Sequence, residues 1–318
     1  MSPGTPACPS RGPLPTLART VCAFVLAGAL LSGCDDSSPQ HEAATSQSPS
    51  ASTPSSETTQ TPPPVATRRL DSIAVLGHSG ATGTMTDPKD ATRDAHENSW
   101  ATGVNPKVDS IYRRLLAEHP AMRGHNYNLA VNGTDVDALD SEFDDLLATA
   151  DVLPDVVLIQ TIDNDMRCDG TDQDNYRPFG ESLDRVLTRI EDTIPHVAFF
   201  IVSQWATVDE WTAWAAHHDE QVLANTGTGP CQVFDGHGDP RPAGIRSMQR
   251  IVDSYWAVTE KVCAEHRHCF TDGGAESRLF IPTDQDIAPD LNHLSIEGHR
   301  KFAAIAWKAF PESIKQRS

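Results

Sequence analysis

The stretch Leu70–Thr84, LDSIAVLGHSGATGT, decides how the rest of the chain is read. Ile73, Ala74, Val75 and Leu76 form an unbroken apolar run that stops at Gly77, and the residues beyond are small, polar and rich in glycine. A short apolar run bounded by turn signals predicts a buried strand ending in a tight turn. Ser79 then stands at the carboxyl end of a strand, where open α/β sheets gather their ligands. It is a candidate nucleophile. A hydroxyl attacks a carbonyl only with a base, a group to orient that base, and donors for the developing oxyanion.

The far end of the chain offers the first two together as Asp290-Leu291-Asn292-His293, within APDLNHLSIEGH. Three residues apart, aspartate and histidine can share one side of a turn, the carboxylate holding one ring nitrogen while the other faces the serine. Two internal stretches offer donors. His125 to Val131 runs into Asn132-Gly133-Thr134, and Val156 to Gln160 runs into Thr161-Ile162-Asp163-Asn164-Asp165. Gly133 permits close backbone approach to a ligand. Asn164 contributes a side-chain amide.

Serine, glycine, asparagine and Asp-x-x-His at four successive strand ends resemble the SGNH (GDSL-type) hydrolases over roughly Leu70 to Phe310. The resemblance implies a nucleophile at Ser79 oriented against His293 and Asp290, and an oxyanion hole from Ser79, Gly133 and Asn164. It also implies a three-layer α/β/α, flavodoxin-like domain with a mostly parallel five-stranded sheet. The reaction it implies is hydrolysis of a carboxylic ester through an acyl-enzyme, with no metal and no organic cofactor. Two positions depart from the family pattern: Gly-His-Ser at 77–79 replaces Gly-Asp-Ser, and Ile162 replaces the glycine before Asp163-Asn164-Asp165. His78 removes no triad member, because Asp290 orients the base. Ile162 is expected to tilt the Asn164 loop. Two other readings stay open: an envelope acyltransferase of the same chemistry, and a non-catalytic surface protein that binds glycans or lipids.

Other chemistries find less support. The glycines at 77, 80 and 83 fit neither a dinucleotide fingerprint nor a phosphate loop. Gly77-His78-Ser79-Gly80-Ala81 narrowly misses the Gly-x-Ser-x-Gly elbow of α/β-hydrolases. Asp163 and Asp165 have the form of a carboxylate pair, but read better as loop residues bonding their own backbone. With a net charge of −19, the chain lacks the basic surface that nucleic acid or an anionic membrane would require. The expected partner is a small-molecule, lipid or acylated-glycan ester.

Residues 1–33 read as a targeting segment: Arg11 and Arg19 precede the apolar run Val21 to Leu31, too short to span a bilayer. Leu31-Ser32-Gly33-Cys34 looks like a bacterial lipobox, which predicts lipid attachment at Cys34; the other reading is an ordinary secretory signal. Either way the protein is exported. From Asp35 to Thr67, 20 of 33 residues are Ser, Thr or Pro, so this segment cannot bury enough surface to fold. As a flexible linker it reaches roughly 30 Å. A single domain is expected over 68–318, and the only predicted membrane contact is the lipid.

From Leu70 onward strand and helix patterns alternate, which predicts a parallel sheet covered on both faces. Helices are expected over Pro106–Glu118, Asp135–Thr149 with Thr134 as N-cap, Tyr176–Asp192, Ile245–Glu265 and Ser295–Ala309. The remaining strands are expected at His196–Ser203 and Cys269–Thr271. Between Gln204 and Gly244 the rhythm fails, and Trp205, Trp211 and Trp214 mark an insertion on the rim that carries Ser79. It reads as a substrate-shaping lid or as a surface excursion packed on the core.

Four cysteines lie beyond Cys34, and an even count in an exported protein argues for two disulfides, for which three pairings exist. Cys263 with Cys269 closes a short loop, leaving Cys168 with Cys231 to tie the segment after Asn164 to the insertion. The competing reading, a metal site from Cys263, His266, His268 and Cys269, lacks the usual paired spacing.

Overall fold

The structure, a computed structural model, describes residues 69–218 and 228–317; the targeting segment, Cys34, the linker and the middle of the insertion lie outside them. Five strands, β1 (Ile73–Gly77), β2 (Asn126–Asn128), β3 (Val156–Gln160), β4 (Ala198–Ile201) and β5 (Cys269–Thr271), form one sheet in the order β2-β1-β3-β4-β5, with every pairing parallel. That order is flavodoxin-like. It puts the switch point of the winding beside β1, the strand that leads into Ser79.

Alternation along the strands sorts the core into two layers. Ile73, Val75, Leu158 and Phe200 face one side and pack against α2 (Ile111–Glu118) and α8 (Ile296–Ala309) through Ile111, Leu115, Phe302 and Ala306. Ala74, Leu76, Val157, Ile159 and Phe199 face the other. They are covered by α3 (Leu139–Thr149), α4 (Asp172–Thr193) and α6 (Pro242–Glu265), through Phe143, Leu183, Leu187 and Tyr255. Full burial of β1 and β3 on both faces accounts for their unbroken apolar sequences.

Boundaries moved where a side chain or a proline decides them. The helix expected from Pro106 begins at Ile111, because Ser110 caps it by accepting the Arg113 N–H. That expected from Asp135 opens as a 3₁₀ turn over Val136–Ala138 capped by Asp135, not Thr134, before α3 proper. Within α3, Leu147, expected on the apolar stripe, is 38% exposed, and Glu142 is buried in the stripe. β2 is short as a strand, yet the Leu129 and Val131 N–H groups still donate to the Val75 and Gly77 carbonyls, so pairing runs on to Val131. Pro242 stands in the first turn of α6, three residues before the expected start. Short helices at Val208–Ala215 (α5), within the insertion, and at Ala275–Leu279 (α7) were not expected.

Both disulfides are present, Cys168–Cys231 and Cys263–Cys269. His266 stands between Glu191, 2.9 Å from Nδ1, and Asp184, 3.1 Å from Nε2, so this ring pins α6 to α4. Among the described residues no helix is long and apolar enough to cross a membrane.

Gly77, at φ 130°, pairs with Gln160, and a Cβ there would lie 2.0 Å from the Gln160 carbonyl oxygen. Gly77→Ala therefore has to part β1 from β3 as well as strain its own backbone. Chemical denaturation should show a loss on the order of 3 kcal/mol or more. A loss below about 1 kcal/mol would contradict this close approach.

Candidate active site

The carboxyl ends of β1 and β3, the turn after β2 and the loop before α8 share one rim. Ser79 is the first residue of a one-turn helix, α1 (Ser79–Thr82), and is 9% exposed. As a first helical residue its N–H has no partner within the helix, which suits it to an oxyanion. His78 caps the turn: its Nδ1 accepts the Gly80 N–H at 3.0 Å. Burial pushes the His78 pKa down, against the opposing pull of Asp163, whose carboxylate lies 4.0 Å from Nε2. His78 is thus a neutral ring that holds the turn carrying Ser79. Beneath it, the Gln160 side chain accepts from the Trp100 indole N–H at 2.9 Å. A Cβ at position 80 would fall 2.7 Å from the Gln160 amide, so a side chain there requires that amide to shift.

Asp290 and His293 form the expected pair. The His293 Nδ1–H donates to Asp290 Oδ2 at 2.5 Å, and the N–H groups of Asn292 and His293 donate to Oδ1 at 3.1 Å each. Burial opposes ionisation of Asp290, but the bond from the His293 ring and the two N–H groups outweigh it and hold the carboxyl below its usual range. A carboxylate has no proton to give, so Nδ1 carries the hydrogen and Nε2 has the free lone pair in the neutral ring. That Nε2 is buried and has no hydrogen-bond partner. The Nε2 of His78 and the Nδ1 of His299 are also buried without a partner, so what sets His293 apart is the bond of its other nitrogen to an ionised carboxylate. His293 lies close enough to His78, the neighbour of Ser79, to disfavour its protonation. No direct hydrogen bond joins Ser79 to His293. His299, fully buried and also facing His293, is pushed down to about 3 by burial and stays neutral.

The two expected donor loops meet each other. Asn164 Nδ2 donates to the Thr134 carbonyl at 2.7 Å, which joins the third-block asparagine to the turn that carries Gly133. One amide hydrogen of Asn164 is thereby spent and the other remains. Gly133 is exposed at φ 81°, with nothing within 4 Å of where a Cβ would be. Ile162 is bent into φ 92° while its side chain is 1% exposed, so the position that takes glycine in the family pattern keeps the glycine-like backbone. A β-branched residue at positive φ is strained, and burial of the side chain offsets the cost. Asp165 holds this turn by accepting from Ile162 and Val136 N–H, both at 3.0 Å, and burial pushes its pKa up to about 6. Its reading as a backbone-bonding loop residue fits, whereas the Asp163 carboxylate lies beside His78.

Sequence reasoning missed Glu142. Its carboxyl accepts the Gly77 N–H at 2.7 Å and meets the Thr134 hydroxyl at 3.3 Å, tying the turn before Ser79 to the turn after Gly133. The signal was available: a carboxylate between Leu139 and Phe143 falls on the buried stripe of α3. Trp211 was singled out without a role; its indole N–H donates to the Leu291 carbonyl at 3.1 Å, bracing the turn between Asp290 and His293. Leu291 itself has φ 59°.

A serine, an imidazole paired to an ionised carboxylate, and a glycine turn bonded to an asparagine amide thus lie along the carboxyl rim of a parallel sheet. No protein-family model matches the chain, and no curated protein matches it. Among solved structures it is similar to a family 3 carbohydrate esterase of Clostridium thermocellum, at 17% identity over 76% of this chain and 94% of that one, with a TM-score of 0.45. It is also similar to an extracellular lipase of Streptomyces rimosus (13% identity; 76% and 100% covered; TM-score 0.43) and to a putative GDSL-like lipase of Parabacteroides merdae (14%; 76% and 96%; 0.45).

Burial pushes the Glu142 carboxyl up to about 8, so it keeps its proton in the folded protein at neutral pH. The folded pKa lies above the unfolded one, so its contribution is complete below about pH 4.5 and is lost as pH rises through about 8. Glu142→Gln, an uncharged mimic of the protonated acid, should lose this dependence. Melting temperatures measured from pH 4.5 to 8 should fall more steeply for the natural protein than for the variant; parallel curves would contradict a raised pKa.

Proposed function

We propose that this protein is a serine esterase that cleaves carboxylic esters through an acyl-enzyme. The observation that carries the reading is the 2.5 Å bond between His293 and Asp290, which leaves a buried, unpartnered Nε2 on the rim that Ser79 occupies. Bonds between nucleophile and base are often long without substrate and tighten in the complex.

In this scheme His293 Nε2 takes the Ser79 proton as Oγ attacks the ester carbonyl carbon. Asp290 stabilises the imidazolium and keeps it in place without taking its proton. The oxyanion is held by the N–H groups of Ser79 and Gly133 and by the second amide hydrogen of Asn164; one such donor is worth about 3–4 kcal/mol in the transition state. Collapse breaks the bond to the alcohol, which leaves with the proton from His293. Water then attacks the acyl-enzyme with His293 again as base, and the acid departs with Ser79 restored.

Two disulfides fit an exported protein. Lipid attachment at Cys34, with the Ser/Thr/Pro-rich segment as a tether, completes the proposal: an esterase held at the outer side of the cytoplasmic membrane.

Ser79→Ala should lower hydrolysis of a short-chain aryl ester by at least about a thousandfold while circular dichroism and melting temperature stay near those of the natural protein. Full activity in a folded Ser79→Ala protein would rule the scheme out.

A further inference from the structure

His78 precedes the proposed nucleophile, and its ring is almost wholly buried, at 1% exposure. The two ring nitrogens have different partners. The Gly80 N–H donates to Nδ1 at 3.0 Å, and a backbone N–H can only donate, so Nδ1 keeps its lone pair. The hydrogen of the neutral ring is therefore on Nε2, which stands 4.0 Å from the Asp163 carboxylate. Gly80 is the second residue of α1, so this one bond fixes the turn whose first residue is Ser79. Both the hydroxyl and one oxyanion N–H of the proposed mechanism belong to that turn.

A second proton can enter this ring only at Nδ1, where it meets the Gly80 N–H. The imidazolium then has no lone pair left for the turn, and two N–H groups face each other. A charged ring also opposes the reaction itself. The charged and titratable groups that face it are Asp163, from the turn after β3, and His293, from the loop before α8. Burial opposes the charge most strongly, Asp163 favours it, and His293 opposes it. Repulsion between two imidazoles acts in both directions. A charge on His78 therefore makes it harder for His293 to hold the Ser79 proton as the proposed attack proceeds.

We infer that His78 is a positioning residue whose neutral ring sets the turn carrying Ser79, so that two imidazoles, His293 as base and His78 as support, must both be uncharged for ester cleavage. The kinetic consequence rests on the proposed esterase reading, whereas the charge and tautomer of the ring stand without it. A site with one essential neutral histidine loses about tenfold in kcat/KM per pH unit on its acid side, and a site with two loses about a hundredfold.

The test has two arms, both on the full chain. In Ser79→Ala protein, nitrogen-15 chemical shifts of the histidine rings report the state of His78. A neutral ring at pH 7 with its hydrogen on Nε2 is expected; a charged ring, or hydrogen on Nδ1, overturns the inference. In the second arm, hydrolysis of a short-chain aryl ester is followed from pH 8 to pH 4 for the natural protein, His78→Asn and His78→Leu, with circular dichroism at each pH to show that they are folded. Asparagine at an N-cap accepts the same N–H but takes up no proton. His78→Asn should keep kcat at pH 7.5 within about fivefold of the natural protein, and its acid limb should stay at about tenfold per pH unit where the natural protein steepens towards a hundredfold. His78→Leu, which offers no acceptor, should lower kcat about a hundredfold with KM changed less than about threefold. Identical acid limbs in the natural protein and His78→Asn, or full activity in His78→Leu, overturn the inference and leave the esterase reading standing. A natural protein that cleaves no ester defeats both together.

Discussion

At Gly77 two strands come so close that a methyl group would sit 2.0 Å from the Gln160 carbonyl oxygen. The geometry of the rim follows from that approach. Gly77 and Gln160 are the last paired residues of β1 and β3. Ser79 lies two residues beyond one, and Ile162, which starts the Asn164 turn, two beyond the other. The Gly77 carbonyl also receives the Val131 N–H, and its own N–H goes to Glu142. Nucleophile turn, glycine turn and asparagine turn are thus all referenced to one residue with no side chain. A side chain there would displace three loops at once.

The carboxyl groups around this rim are separated by environment. Glu142 is pushed up to about 8 and Asp165 to about 6, in both cases chiefly by burial. Both serve as props for backbone N–H groups. Asp290 is more accessible, and bonds from His293 and Asn292 draw it the other way. Pairs of titratable groups pushed apart by their surroundings mark out acid-base roles. Here the ionised member is the one that touches the imidazole.

Much of this was legible from the chain. The apolar runs of β1 and β3 announced a doubly covered parallel sheet, because strands buried on both faces need no alternation. Asp290 and His293 were legible because their pairing is local, three residues apart. The disulfides followed from cysteine count and spacing. What could not be read depends on contacts distant in sequence. Glu142 reaches Gly77 across 65 residues, and Trp211 reaches Leu291 across 80. No periodicity encodes those distances. Ile162 shows another limit: its sequence argued for a displaced loop, whereas its buried side chain stabilises a backbone angle that the residue avoids on its own. The insertion was recognised by loss of rhythm, but how it packs emerges only once α5, α6 and Leu291 form a small core of their own.

The central claim is that Ser79 is a nucleophile activated by His293. An organophosphonate probe followed by peptide mass spectrometry tests it most directly. The account predicts one phosphonyl adduct per chain, located on Ser79, and its loss when His293→Ala removes the base. Absence of any adduct on Ser79 in the natural protein, or equal labelling without the imidazole, would contradict it.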